Sequence, residues 1–521
     1  MPKESDNDIN WDLLCFNGLI HTLDDNLPKA TWMLIHEGRI ARLGEDPTPD
    51  ISVRQSLDLQ GKTVVPGFID SHTHLASHGI AQTFWVNLGE AKSQGEIEKR
   101  LRKKALELQE DEWLVAYNWD ESQWEAPILL NREILDRACP SHPVFAIRED
   151  GHFVAVNSKA LELLAEPLSK LKGEERAEAS QGRLRDIDID RKLFYPDPSK
   201  ILKGIEAGCD LAAQLGITSA NDMISAELLR YYFKAEKKGL LKIRIHLNVP
   251  PTVLSAVETI GIASGFGSDK LRIGGLKLFY DGSIGAQTAL VSEDFTDMPG
   301  EKGIIYTPSE EFTKYLDKAI KRRIQPVVHA IGDQAIENVL NEYAARRESI
   351  AALRPRIEHV EMVTDSQMAK AAELNVIFSM QPNFCKWAFP GGLYETRLGK
   401  KRTRQMNAFS KVVENKVRLA FGSDGMPLGP LLGLHYAVNH PVKESSLSVD
   451  DAIRSYTIEG AYCEFQEHEK GTLSEGKLAD FVVLSGNPWE TPDKIKEMKV
   501  EMTAVGGEIA YKEVNTALNL K

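Results

Sequence analysis

Short apolar runs recur along the chain, several of them closing on a polar or turn residue. They occupy residues 66–74, 216–222, 241–249, 273–282, 325–333, 356–360, 375–382 and 417–425, and their length and β-branched content predict eight strands. Between several of them apolar positions return with helical spacing, as over 310–323 and 334–347. Strands alternating with helices argue for an α/β protein built on a (β/α)8 TIM barrel, whose active site forms at the C-terminal ends of the strands.

Two regions depart from a plain barrel. About 140 residues separate the first run from the second, far too many for one crossover helix, so an insertion is expected over residues 80–210. It contains strand-like pieces at 113–118, 144–148 and 151–156, a charged helical run at 94–110, and a polar stretch at 166–181 that reads as a mobile loop. The chain ends are the second departure: 12–18, 30–40, 56–64, 479–484 and 502–511 read as short strands and turns. Residues 1–64 and 467–521 are therefore expected to form one discontinuous β-sandwich without chemistry of its own, and residues 65–466 the barrel. A capping box, Ser448-Val-Asp-Asp451, predicts the start of a helix over 452–466.

Candidate chemistry lies where the apolar runs end. His72 and His74 close the first run at i, i+2, a spacing that sends both imidazoles to one face of a strand and offers half a tetrahedral metal site. Lys277 sits inside the fourth run, His329 and His359 end the fifth and sixth, and Asp424 ends the eighth. This set resembles the amidohydrolase superfamily. The wording Lys-Leu-Phe-Tyr-Asp-Gly and His-Ala-Ile-Gly-Asp is similar to its subgroup called amidohydrolase family 3, or YtcJ-like, and Gly476-Lys-Leu-Ala-Asp480 matches that family's return into its sandwich.

The resemblance implies a metal-dependent hydrolase with one or two divalent ions, zinc by default, per chain. His72 and His74 would hold one metal with Asp424 nearby, and His329 and His359 a second. An ammonium has no lone pair for a cation. Lys277 is thus expected as a carbamate, formed with carbon dioxide, that bridges the two metals; an unmodified Lys277 beside a single metal is the alternative. Asp424 would also act as general base toward water and then as acid toward the leaving amine. The resemblance further implies that the insertion caps the barrel mouth. Asp70 is a candidate to orient an imidazole or to anchor a turn, and His152, Tyr280, Asp281 and Gln287 are candidate substrate contacts.

Composition narrows the function classes. The chain has 521 residues, 42% of them hydrophobic, and a formal charge of −13, which argues against nucleic acid or an anionic membrane as partner. No apolar run reaches the roughly 18 residues of a bilayer span, and the acidic start does not read as a signal peptide, so a cytoplasmic protein is expected. Five scattered cysteines without a C-x-x-C pair suggest neither a disulfide framework nor a thiolate metal site. The expected activity is hydrolysis of a C–N bond, of amide or N-acyl amine type, in a small-molecule substrate. The alternatives are a deaminase or cyclic-amide hydrolase and, from another class, a non-catalytic sensor or interaction protein. A homodimer would be unsurprising for such a chain.

Overall fold

The computed structural model describes residues 10–109, 111–121, 124, 128–149, 151, 153–169, 171–185 and 198–520. Eight parallel strands follow one another around a single sheet in chain order: β1 (Phe68–Thr73), β2 (Ile217–Met223), β3 (Arg244–Val249), β4 (Leu271–Phe279), β5 (Gln325–Ala330), β6 (Arg356–His359), β7 (Ile377–Met380) and β8 (Arg418–Phe421). Each is hydrogen-bonded in parallel to the next. The architecture is a (β/α)8 barrel. Strand β5, Gln-Pro-Val-Val-His-Ala, is buried at every position, as expected where one face meets the barrel interior and the other the helices.

The ends of β1 and β8 meet closely. The Asp424 N–H donates to the His72 carbonyl at 2.8 Å, and a Cβ on Gly422 would lie 2.4 Å from the His72 nitrogen. Only glycine allows the two backbones this approach.

Helices cover the outer face of the strands. The helix Ser309–Arg322 buries Phe312, Leu316 and Ala319 on one stripe, and they join Leu276, Leu278, Val328 and Ala330 of β4 and β5 in the main core. Burying a large apolar side chain contributes about 1.5–3 kcal/mol, so this stripe and not local propensity secures the helix. The helical run expected over 452–466 is two helices, Val449–Ser455 and Ile458–Cys463, separated by Thr457 in a non-helical conformation. Ser448 does cap the first, accepting from the Asp451 N–H at 3.1 Å.

The two chain ends build two further sheets. Trp11–Phe16, Trp32–His36, Arg39–Gly44 and Val53–Asp58 form a four-stranded sheet. In the six-stranded one, Thr63–Pro66 pairs antiparallel with Phe481–Leu484, which joins N-terminal to C-terminal chain. Cys15, Met33, Ile35 and Leu57 from the first sheet pack with Val64, Phe481, Val483 and Met502 from the second.

A second compact unit comprises Ala76–Gly208 together with Ser283–Thr288. Its five-stranded sheet runs in the order Arg183–Arg185, Phe153–Val156, Val144–Arg148, Leu114–Trp119, Val86–Asn87. Trp119 and Trp124 lie in its core with their indole N–H groups donating to the carbonyls of Ala146 and Ala91. The stretch expected as a mobile loop at 166–181 instead contains the helices Ala165–Leu168 and Gly173–Ser180; its many Ala and Glu residues favour helix once an apolar anchor such as Ala179 is buried. Among the described residues no helix is long and apolar enough to cross a membrane.

Candidate metal centre

His72 lies near the end of β1, His74 just past it, and Asp424 three residues past β8. The Asp424 carboxylate oxygen Oδ1 stands 3.1 Å from Nε2 of His74 and 3.5 Å from Nε2 of His72. One atom from each of the three residues lies within 4.8 Å of the others. Asp424 holds a positive φ of 53°, a strained conformation that costs about 1–3 kcal/mol and recurs at functional sites. The His74 side chain is 32% exposed and that of Asp424 12%, so solvent reaches the centre from this side.

The protonation of the rings fits a cation. Nδ1 of His72 is 2.6 Å from a Glu358 oxygen, Nδ1 of His74 is 3.2 Å from the Met223 carbonyl, and Nδ1 of His359 is 2.7 Å from the Gln381 side-chain oxygen. Each acceptor draws the ring proton to Nδ1 and leaves the lone pair on Nε2. Two lone-pair nitrogens and a carboxylate oxygen then converge with no hydrogen to place between them, an arrangement that a divalent cation relieves. Burial, with Lys277 nearby, pushes the His72 imidazole down to about 4. Burial, with His72 nearby, holds His359 well below the usual imidazole range. Both are therefore neutral at pH 7. Burial opposes ionisation of Asp424, and it is positive charge facing it, on the rings of His72, His74 and His359 or on a cation in their midst, that holds the carboxyl well below its ordinary range.

His329, His359 and Lys277 extend this centre. The His329 and His359 rings are 4.4 Å apart and those of His72 and His359 4.7 Å. The register of β4, β5 and β6 pairs Phe279 with His329 and Ala330 with His359, which brings three strand ends level. At His359 and Val360 the backbone turns sharply, with φ of 73° and 51°, and the Val360 N–H donates to the Ala330 carbonyl at 3.2 Å. Nε2 of His329 donates to the Gly282 carbonyl at 3.0 Å, which places the lone pair of this ring on Nδ1. Lys277 is only 5% exposed, its ammonium lying 4.8 Å from the Phe279 ring centre. Among the described residues no carboxylate pairs with it. Burial pushes its amine down to about 8, so that roughly a tenth of it is the neutral, nucleophilic form at pH 7.

The remaining candidates separate. Asp70 does not orient an imidazole: its carboxylate accepts from the His72 N–H at 3.1 Å and from the N–H and hydroxyl of Ser423 at 3.1 and 2.5 Å. Burial pushes it up to about 7, against the lowering effect of the Ser423 and His72 bonds. Asp281 accepts from the N–H groups of Leu290, Ile331 and Gly332, so its carboxylate is engaged in the fold. The Tyr280 ring is buried edge-on against Phe312. Gln287 lies in the Ser283–Thr288 piece of the second unit, at φ 61°, and His152 lies outside the described residues.

Two functional partners escaped the sequence reading. Glu358 and Gln381 hold His72 and His359 by their Nδ1 atoms. For Glu358 the available signal was a charged pair, Arg356 and Glu358, at alternate positions of a barrel strand that is buried throughout, since such groups are rarely buried without a task.

A barrel with imidazoles, a carboxylate and a lysine gathered at its strand ends defines a metal-dependent hydrolase. Residues 55–511 match the model of the amidohydrolase family, and the chain belongs to that family. It is 30% identical over 543 aligned residues to Protein LONG AFTER FAR-RED 3 of Arabidopsis thaliana, covering 96% of this chain and 91% of that protein. It is 29% identical to the putative amidohydrolase YtcJ of Bacillus subtilis, over 95% of this chain and 98% of that one. An N-substituted formamide deformylase of Arthrobacter pascens is 23% identical over 97% of this chain and 99% of its own. Among solved structures, an uncharacterized metal-dependent hydrolase from Pyrococcus horikoshii superposes with a TM-score of 0.75 at 28% identity, covering 92% of this chain and 98% of that one.

Proposed function

We propose that the protein hydrolyses the C–N bond of a small-molecule amide or N-acyl amine. The observation that carries this reading is the convergence of two imidazole Nε2 atoms on the Asp424 carboxylate. His72, His74 and Asp424 would hold one divalent ion, zinc being well suited to imidazole and carboxylate. His329 and His359 would hold a second, and Lys277, carboxylated by carbon dioxide with loss of a proton, would supply an anionic oxygen to both. When bound, such a metal polarises a carbonyl and lowers the pKa of water toward about 7.

The chain's own residues supply the rest of the chemistry. Asp424 takes the proton of the attacking water on a carboxylate oxygen and returns it to the departing nitrogen, since an amine leaves poorly unless protonated. Glu358 and Gln381 keep the His72 and His359 rings from rotating. The exposed edge at His74 and Asp424 admits substrate. The deformylase relative, named for a C–N substrate, supports the choice of bond. The test is metal content by elemental analysis on protein prepared without chelator and with bicarbonate, followed by product analysis on N-acyl amines. About two metals per chain and release of an acid plus an amine are expected. Ammonia as product would favour a deaminase, and no metal after reconstitution would overturn the proposal.

A further inference from the structure

Glu358 and Arg356 are both fully buried, with 0% side-chain exposure, two residues apart on β6. Arg356 grips both carboxylate oxygens, Nε donating to Oε1 at 2.9 Å and Nη2 to Oε2 at 3.0 Å. Its other N–H groups reach the Ser71 carbonyl at 2.6 Å on β1 and the Asn221 side-chain oxygen at 3.1 Å on β2. A longer bond runs to the Ser379 hydroxyl at 3.4 Å on β7, so the guanidinium links four barrel strands, and among the described residues the carboxylate it holds has one further partner, Nδ1 of His72 at 2.6 Å. A carboxylate that already accepts from two guanidinium N–H groups has only lone pairs left to offer, so the proton between it and His72 resides on Nδ1.

We infer that the Arg356–Glu358 pair is a positioning device that fixes the tautomer and ring plane of His72 and so presents Nε2 to the metal. The inference rests on the proposed reading of His72 as a metal ligand. An isolated buried ion pair would have no need to be bound both to the backbone beside a ligand and to the ligand's own ring. The pair's cost in desolvation is then offset by a metal site assembled before the ion arrives. Neither residue touches substrate.

The experiment is zinc affinity of the metal-free full chain, by competition with a chromophoric chelator, with the visible spectrum of the cobalt-loaded form as a second readout. Glu358→Gln is expected to weaken zinc binding about 10- to 100-fold and to alter the cobalt spectrum. Arg244 and Asp480, another buried bidentate pair at 2.8 and 2.9 Å, provide the control: Asp480→Asn should lower thermal stability and leave zinc affinity unchanged. Wild-type affinity in Glu358→Gln, or equal weakening in Asp480→Asn, would overturn the inference. Should Glu358→Gln fail to fold, neutron diffraction from deuterium-exchanged wild-type crystals decides: a deuteron on Nδ1 of His72 supports the inference and a bare Nδ1 overturns it. Absence of zinc binding by the wild-type protein would overturn the metal-centre reading instead, which separates that failure from this one.

Discussion

The Asp70 carboxylate accepts hydrogen bonds from the backbone N–H and the hydroxyl of Ser423, and so fastens the strand that carries His72 to the turn that carries Asp424. The segments that carry His72 and Asp424, more than 350 residues apart in sequence, are held in register by one buried side chain. Ser423→Ala removes the hydroxyl half of this tie and leaves a buried carboxylate oxygen short of a donor. The expected loss is about 1–3 kcal/mol, read as a lower denaturation midpoint at unchanged m-value.

Gly422 lies at the same seam. Gly422→Ala would drive a methyl against the His72 backbone, 2.4 Å away, and neither segment can retreat without moving His72 or Asp424. A destabilisation of about 1–3 kcal/mol accompanied by weaker metal binding is expected. Unfolding curves and metal titration on the same preparation check whether the two effects appear together.

In the proposed reaction, Asp424→Asn would preserve an oxygen for the metal and remove the proton carrier. Turnover should fall by about 10²- to 10⁴-fold, with most of the metal still bound. Elemental analysis beside kcat tests this, and substantial retained hydrolysis would remove Asp424 from the proton-transfer role.

Lys277→Met removes the amine that would be carboxylated and keeps the volume of the side chain. Bound metal should drop from about two to about one per chain, the proposed stoichiometry of the two centres. Electron density at the tip of Lys277 in wild-type crystals grown with bicarbonate should show a branched carbamate, and a bare amine there would remove the bridge.

Away from the centre, His440 provides a pH test of folding. Burial pushes its imidazole down to about 4, opposed by the bond to the Val442 carbonyl, and its Nε2 has no partner among the described residues. In the unfolded chain it titrates near 6.5, so the unfolded state binds the extra proton first. Its contribution is fully present above pH 6.5 and is lost as pH falls toward 4, a total on the order of 3 kcal/mol. His440→Gln should flatten that part of the stability profile of the metal-free protein, as measured by urea unfolding across pH 4–7.

The alternation of apolar runs with helical spacing was enough to read the barrel, because each strand is buried on both faces and each helix on one stripe, and these are local patterns. The positions of His72, His74, Lys277, His329, His359 and Asp424 were legible for the same reason: each ends or interrupts an apolar run. Local patterning did not reveal what surrounds them. Asp70 sits beside the His-x-His pair in sequence and turned out to hold backbone, whereas Glu358, 286 residues from His72, holds its ring. Tyr280 and Asp281 lie three and four residues after Lys277 and are absorbed by the fold. The break at Thr457 and the helices within 166–181 likewise depended on which side chains found a core.

Sequence by itself therefore determined the strand order, the family and the set of groups able to bind a metal, since these depend on residue type and on spacing within one element. Only the tertiary structure decided which nitrogen of each imidazole carries its proton and which carboxylates are engaged in bracing the backbone. Those choices depend on distances between strands that barrel closure brings together, and hydrogen bonds are made or lost over a few tenths of an ångström.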